Sequence, residues 1–580
     1  MQIIKSAARW GILVGLLLTF SARADESPLR YVAQADDSLP RLAEKYSRDS
    51  ANWPAIFVAT NRLAQSEPDI SPLESPLLLP PGQIVAIPAA DQLESLLANY
   101  AGNPPPVARD TVPLSPAWLA DFAAYVEESR QHFEIPGAAV AVVSPQQILL
   151  AQGFGERELG RGQPVTPDTL FGIGSTTKAM TSLLAARLVD EGAFGWDTPV
   201  SQLWPGFALS DPAVMPQIRL RDLLGMRSGL PRADLVWSGS GMSAEQVMQS
   251  LAELPLAAPP GEQFEYNNQA VATAGFAATL AAGGEFGQLG PAYESLLRQR
   301  VFEPIGMRRT AFDLAKVQAD ANHATPHDFT LAGETVPTHF HADPGIDPAG
   351  GVNASLLDLA RFGQTQLTRG VAPAGQRVVS AANLTQTWQP QIELYPGNSY
   401  AMGWFVEEYR GVEMVWHDGD VLGFKSLLVL LPQANLGLAL LSNRTVSYGF
   451  SNGIRYHFAE QVYGLEADAG QYFRDQWTTF KTDGLPKARA PLNPTPPAGT
   501  VQPYLGRYES GWRVEQRPNG AVWASRGDYR WQLWAKPEPG QFIIGNGFAL
   551  LSPLEFVAED DRIVMRVELA TGEIGEFWKE

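Results

Sequence analysis

Ser175 stands at the start of an apolar run, and Lys178 follows three positions later. Gly172 and Gly174 lead up to the serine. Met180, Leu183, Leu184 and Leu188 then recur at helical spacing, with Gly192 as a C-terminal stop. Ser175 and Lys178 therefore share one face of a first helical turn, at the positive end of the helix. An alcohol is a poor nucleophile near neutral pH unless a neighbour takes its proton. An amine does so only if burial or nearby charge lowers its pKa. Alone the pair is a weak signal, since an N-capping serine beside a solvated lysine is spelled the same way. Two later clusters sharpen it. Phe264-Glu265-Tyr266-Asn267-Asn268 supplies a phenol and an amide at Tyr266-x-Asn268, and Trp416-His417-Asp418-Gly419-Asp420 leads into the apolar run 427–431. A glycine at the start of a buried strand lets another backbone approach closely.

These residues need a frame. A helix is expected over 118–133, then a hairpin from Ala138-Ala139-Val140-Ala141-Val142-Val143 and Ile148-Leu149-Leu150. A long mixed region follows to about Gly464. The Pro-rich stretch to Pro503 reads as a linker, placed over 466–502, and 503–580 carries short aromatic and β-branched runs between Pro-Asn-Gly, Pro-Gly and Thr-Gly turns. That tail reads as an all-β domain whose tryptophans, Trp512, Trp523, Trp531 and Trp534, fill its core.

A chain of 580 residues exceeds what one core organises, and 45% hydrophobic with 18% charged residues is a globular composition. A net charge of −19 argues against nucleic acid or an anionic membrane surface as the main partner. Lys5 and Arg9, the apolar run 10–20 and Ala22-Arg23-Ala24 read as an export signal over 1–24, cleaved before Asp25. With no cysteine there is neither disulfide nor thiolate metal site. The expectation is a periplasmic or secreted protein with no stable membrane insertion after cleavage, and no cofactor.

Residues 30–89 form a separate small module. A strand near Tyr31, a helix carrying Leu39, Leu42 and Ala43, a helix with Ile56, Phe57 and Val58, and a strand ending at Ile87-Pro88 give the order strand, helix, helix, strand. With Asp37-Ser38-Leu39 early and Pro81-Gly82-Gln83 late, this resembles the lysin motif, whose members bind the N-acetylglucosamine backbone of peptidoglycan or chitin. It departs from the motif at Asp36, where a glycine is usual, and in the length of 61–79. A linker over 90–113 follows, marked by Pro104-Pro105-Pro106.

Ser-x-x-Lys, Tyr-x-Asn and His-x-Gly in that order resemble the serine β-lactamase and penicillin-recognising hydrolases, the class C-related branch most closely. Ile135-Pro136-Gly137, Ser228-Gly229-Leu230, Pro348-Ala349-Gly350-Gly351 and Tyr400-Ala401-Met402-Gly403-Trp404 fit as well. The resemblance spans 114–465. It implies an α/β (α+β) fold, an antiparallel sheet flanked by helices and packed on a helical subdomain, with the site between them. It also implies roles: Ser175 as the nucleophile that forms an acyl-enzyme, Lys178 and Tyr266 as its proton-handling partners in an unassigned order, and Asn268 holding Lys178 and a substrate amide. Backbone N–H groups of Ser175 and Asp420 would form the oxyanion hole, and His417, Gly419 and Asp420 would border the substrate.

Relatives that bind a substrate carboxylate commonly put a hydroxyl where Asp418 stands. Two acids there disfavour an anionic substrate end and favour neutral esters, neutral amides or amine-bearing substrates. An esterase- or aminopeptidase-like hydrolase is the leading expectation. A peptidoglycan DD-carboxypeptidase or β-lactamase, and a non-catalytic cell-wall-binding protein, are the alternatives. His323, His327, His339 and His341 cluster in sequence, but Pro326 argues against the helix a metal pair would need. Trp237 and Trp404 read as core or cleft residues.

Overall fold

A computed structural model describes residues 111–560 and 562–580. Before them it describes 29–32, 39–47, 53–64, 83–89 and a few isolated positions. The expected export signal lies outside the described residues. The chain divides into two compact units, Met1–Asn103 and Pro104–Glu580.

In the first unit, strand Leu29–Val32 pairs antiparallel with Ile84–Ile87, and helices Leu39–Ser47 and Trp53–Leu63 lie between them in sequence. The expected order is therefore present. Ala55, Ala59 and Ala86 form a small core that also takes Leu96. The unit thus extends past the expected boundary at 89, because an apolar side chain beyond Pro88 completes its core. The long segment after the second helix is tied back by Asn61, whose Nδ2 donates to Leu73 O (2.9 Å) while its Oδ1 accepts from Leu73 N (2.6 Å).

The second unit is built on an eight-stranded antiparallel sheet. Its strands are β1 (Gly137–Val143), β2 (Ile148–Gly155), β3 (Ile392–Tyr395), β4 (Asn398–Tyr400), β5 (Phe405–Tyr409), β6 (Val412–Val421), β7 (Phe424–Leu431) and β8 (Leu436–Ser442). The spatial order is 2-1-8-7-6-5-4-3. β1, β7 and β8 are buried along their whole length, as happens when both faces of a sheet are covered. Helices α1 (Pro116–His132), α4 (Leu356–Leu367) and α5 (Tyr448–Tyr463) provide that cover. Between β2 and β3 the chain makes the helical part, centred on α2 (Thr177–Asp190) and α3 (Asn268–Ala281). Both are buried on nearly every side, which suits sequences rich in alanine and leucine with no polar stripe.

The expected linker over 466–502 is corrected. A helix, α6 (Ala469–Thr479), packs against α5, and the helical path continues through one π-turn, Phe480–Gly484, into Leu485–Arg489. Pro486 suggested a break, but the wider turn just before it carries the chain past a residue that cannot donate. The segment is held by Trp477, whose ring lies 5.2 Å from Phe329 and 5.8 Å from Phe133. At the other end, Val112 N donates to Val462 O (2.8 Å), so the domain begins slightly before 114.

The C-terminal sheet has eight strands in sequential order, β9 (Gly506–Arg507) to β16 (Ile574–Trp578). Trp512 and Trp531 fill its core with Phe542, Phe556 and Phe577. The expectation of four core tryptophans is thus half met: Trp523 and Trp534 are only partly buried, and Trp523 lies under the Arg517 guanidinium at 4.1 Å.

If 469–489 belongs to the hydrolase core, Trp477→Ala should cost about 3–5 kcal/mol, the range for truncating a buried aromatic. The check is thermal unfolding of the whole chain. A midpoint equal to wild type would mean that the segment is only a connector.

Candidate active site

Ser175 sits in a 3₁₀ turn, Gly174–Thr176, that feeds directly into α2. Two glycines allow this turn to meet β6. Gly174 is left-handed (φ 48°), and a Cβ on it would lie 2.6 Å from Asp420 O. A Cβ on Gly419 would lie 1.9 Å from Ile173 O and 2.8 Å from Ser175 N. No other residue fits either place without moving backbone. Ser426 on β7 locks the arrangement: its Oγ donates to Ile173 O (2.6 Å) and shares a hydrogen bond with Thr176 Oγ1 (2.7 Å).

Lys178 is fully buried one turn on. Its Nζ donates to Ser175 Oγ (2.8 Å), Asn268 Oδ1 (2.7 Å) and Ala349 O (2.7 Å). Burial pushes its pKa well below that of free lysine; Asp234 and Asp418 oppose the shift and Arg232 adds to it. Tyr266 donates its O–H to Ser175 Oγ (2.8 Å). Burial drives this phenol upward despite the Ser175 contact and the Arg232 guanidinium 5.2 Å from the ring centre. The amine is therefore inclined to lose its proton, and the phenol to keep its own.

Asn267 and Asn268 divide their work. Asn267 caps α3, its side chain accepting from Ala270 N (2.7 Å). Asn268 begins the helix and turns its amide into the site, donating Nδ2 to Asp234 Oδ1 (2.9 Å). Asp234 also accepts from Arg232 Nε on Oδ2 (2.6 Å). Sequence reasoning missed Arg232 and Asp234. They lie just after Ser228-Gly229-Leu230, but neither residue type nor spacing marks them.

The acids at 418 and 420 have an unforeseen partner. Lys425, on the neighbouring strand, reaches Asp418 Oδ2 (2.5 Å) and Asp420 Oδ2 (2.6 Å). In the register of β6 with β7, Asp420 is directly opposite Lys425. Burial opposes charge on Asp418, but the Lys425 ammonium together with the other cationic groups nearby holds the carboxyl below its ordinary range. The same two carboxylates raise the Lys425 pKa against its burial.

His417 departs from expectation. Its ring is 1% exposed and lies beneath the cleft rather than on its wall. Nδ1 is bonded to Asp418 O (2.5 Å) and Nε2 faces Tyr400 OH (3.0 Å). Burial, reinforced by Lys178, lowers its pKa to about 4. A neutral ring with the proton on Nδ1 satisfies both bonds, so His417 supports the floor and offers no cation to a substrate. Gly419 likewise serves the approach of Ser175 instead of lining the cleft.

The cleft above Ser175 has a volume of about 670 Å³ and includes Trp237, Phe340, Asp418 and Asp420 on its wall. Trp404 is fully buried in the core. The four clustered histidines diverge: His323 to Asp320 O, His327 to Asn443 O, His339 to Asp528 O and His341 to the Asp343 carboxylate.

Comparison with known proteins agrees with this geometry. A family model described as Beta-lactamase matches residues 122–461. Unguisins hydrolase ungD' of Aspergillus campestris is 28% identical over 428 residues, covering 70% of this chain and 77% of its own length. Penicillin-binding protein 4 of Amycolatopsis lactamdurans is 29% identical over 335 residues, 55% of this chain and 84% of its own. Among solved structures, the octameric penicillin-binding protein homologue from Pyrococcus abyssi aligns over 99% of its chain and 79% of this one. Its TM-score is 0.52 at 22% identity, a likeness of fold. With Ser175, Lys178, Tyr266 and Asn268 gathered at the junction of sheet and helices, and the family model spanning most of the second unit, this chain belongs to the β-lactamase family of serine hydrolases.

Proposed function

We propose that the protein cleaves neutral or amine-bearing esters or amides through a Ser175 acyl-enzyme. The observation that carries this is the pair of 2.8 Å contacts on Ser175 Oγ, from a buried amine and a buried phenol. Ser175 Oγ attacks the carbonyl carbon while its proton passes to the neutral Lys178 Nζ. The negative charge on the carbonyl oxygen is met by the backbone N–H groups of Ser175 and Asp420. The Tyr266 phenol gives its proton to the departing oxygen or nitrogen, and the Lys178 ammonium, 4.9 Å from the centre of the Tyr266 ring, returns a proton to the phenolate. Water then gives a proton to the neutral Lys178 Nζ as it attacks the acyl carbon, the Oγ–carbon bond breaks, Lys178 returns that proton to Oγ across their 2.8 Å contact, and the acid is released. The opposite directions of the two pKa shifts favour Lys178 as the base of the first step.

Electrostatics select the substrate class. Among the described residues that line the cleft, the two cations, Arg232 and Lys425, are both held by carboxylates. His417 is neutral and buried. A substrate carboxylate entering beside Asp418 and Asp420 finds no unpaired cation and must lose its water without replacement, a cost of several kcal/mol that a neutral end avoids. This reading sets a DD-carboxypeptidase below an esterase or amidase. The relative named as an unguisins hydrolase supports bond hydrolysis as the reaction.

The strand–helix–helix–strand unit supports a second element of the proposal. It delivers the enzyme to the glycan of peptidoglycan, outside the cytoplasm, after removal of the N-terminal export signal.

Three outcomes are expected. Acyl-D-Ala-D-Ala peptides should be cleaved more slowly than their C-terminal amides or p-nitrophenyl esters. In Asp418→Asn/Asp420→Asn, which frees Lys425, the ratio should move toward the carboxylate substrate by about tenfold; a wild type that prefers the free carboxylate sinks the electrostatic argument. The acid limb of kcat/KM should rise with pH through the lowered pKa of Lys178, because only the neutral amine accepts the serine proton. Lys178→Arg, which stays charged, should lose about 10²–10⁴-fold, whereas a variant that keeps wild-type turnover removes Lys178 as base. Finally, the full chain should co-sediment with insoluble peptidoglycan and a chain starting at residue 104 should not; equal sedimentation would reject the glycan role.

A further inference from the structure

The C-terminal sheet reaches the cleft. Its loop 545–552 joins β13 (Gln541–Ile544) to β14 (Pro553–Glu559), and Phe548, Leu550 and Leu551 from this loop lie on the cleft wall. Phe548 is 43% exposed and Leu551 36%; Tyr448, on the same wall from the start of α5, is 61% exposed. Three large apolar side chains open to water, from two separate pieces of one cleft, form a patch of the kind that marks a binding surface.

Two further observations separate this loop from an ordinary surface turn. First, Leu551 has φ 70°, a left-handed conformation that a bulky side chain adopts only when its surroundings impose it. Its N–H donates to Ile544 O (2.9 Å), so the strained residue is held, not frayed. Second, the loop is anchored to the hydrolase domain. Asn546 Nδ2 donates to Asp328 Oδ2 (3.1 Å), and Leu331 N donates to Gly545 O (2.7 Å).

The sheet as a whole is fixed against the catalytic network. Glu573 accepts from the backbone N–H groups of Asp234 (2.9 Å) and Leu235 (2.6 Å). Arg526 donates to Leu235 O (2.5 Å) and Val236 O (3.1 Å), and the Leu235 side chain enters the core of the C-terminal sheet. The segment clamped in this way is the one whose Asp234 carboxylate accepts from Asn268. The wall formed by loop 545–552 therefore has a set position relative to Ser175.

We propose that loop 545–552 is a specificity-determining subsite of the hydrolase, in which Phe548 and Leu551, with Tyr448, take an uncharged apolar arm of the substrate. The inference rests on the acyl-enzyme reading above and adds to it the class of group recognised: an aromatic or branched aliphatic substituent. The all-β tail is then part of the active site.

The test uses boronic acids, whose trigonal boron accepts a bond from the serine Oγ and which carry a single organic arm. Inhibition constants of methyl-, phenyl- and 2-phenylethylboronic acid are measured on the full chain, with Ser175→Ala as control and p-nitrophenyl acetate as reporter. Wild type should prefer the phenylethyl over the methyl compound by about tenfold or more, as expected when an apolar pocket gains several methylene equivalents. In Phe548→Ala, in Leu551→Gly (which suits the left-handed backbone) and in the double variant, that preference should fall toward unity. Thermal midpoints near wild type would confirm that the exposed substitutions leave the fold intact. A preference unchanged in the double variant, or a uniform rise of all three constants, overturns the subsite while leaving the hydrolase reading standing. If none of the boronic acids binds and p-nitrophenyl acetate is not turned over, the hydrolase reading fails and the subsite falls with it.

Discussion

An amine buried without water must find an acceptor for every N–H it carries, or shed its proton. Lys178 does both in prospect: its three acceptors come from three separate elements, the nucleophile turn, the start of α3 and the carbonyl of Ala349. Those contacts satisfy a charged lysine, while the surrounding burial favours the neutral one. The position of Ser175, the orientation of Asn268 and the path of the chain through 347–351 all depend on this one nitrogen. Each supplies something that it would be costly to leave unpaired in a low-dielectric interior.

The remaining polar groups form a graded shell around that point. Asn268 is shared between Lys178 and Asp234, and Asp234 between Asn268 and Arg232. Arg232 in turn lies over the Tyr266 ring. On the sheet side, Lys425 compensates Asp418 and Asp420, and the neutral His417 is held by Tyr400 and the Asp418 carbonyl. Charge at the site is therefore local and paired, and what a substrate meets beyond Ser175 is mostly apolar wall and carboxylate. That combination is hospitable to a neutral or cationic molecule.

Rigidity has a structural source as well. β6 runs beside the nucleophile turn at a distance that only glycine permits at 174 and 419, and Ser426 ties the two together. The helical segment 469–489 and the C-terminal sheet close further sides of the same unit, the first through Trp477 and the second through Glu573 and Arg526. A fold assembled in this way holds its reacting groups on one tight turn and on the first turns of two buried helices, backed by the sheet.

Ser175, Lys178, Tyr266 and Asn268 were legible in the sequence because each lies in a short motif whose local structure is fixed by nearby residues: a glycine-flanked turn into a helix, or a capping asparagine before one. Helix α1, the hairpin of β1 and β2 and the start of α2 were legible through local periodicity, and so was the strand–helix–helix–strand order of the small N-terminal unit; the rest of the sheet and helical part followed only from the family resemblance. Lys425 was not, since its meaning comes from antiparallel register, which sets it opposite Asp420 and within reach of Asp418. Asp234 and Glu573 were hidden for a similar reason: Asp234 meets Asn268 34 positions away and Glu573 339 positions away, Arg232 matters through Asp234 and the distant Tyr266 ring, and nothing in local composition marks a carboxylate that will cap another domain's backbone. The burial of His417 and the helix over 469–489 were likewise decided by packing. Local chemistry along the chain determined which atoms react; which charges are cancelled, and which walls the substrate meets, were decided only when distant segments came into contact.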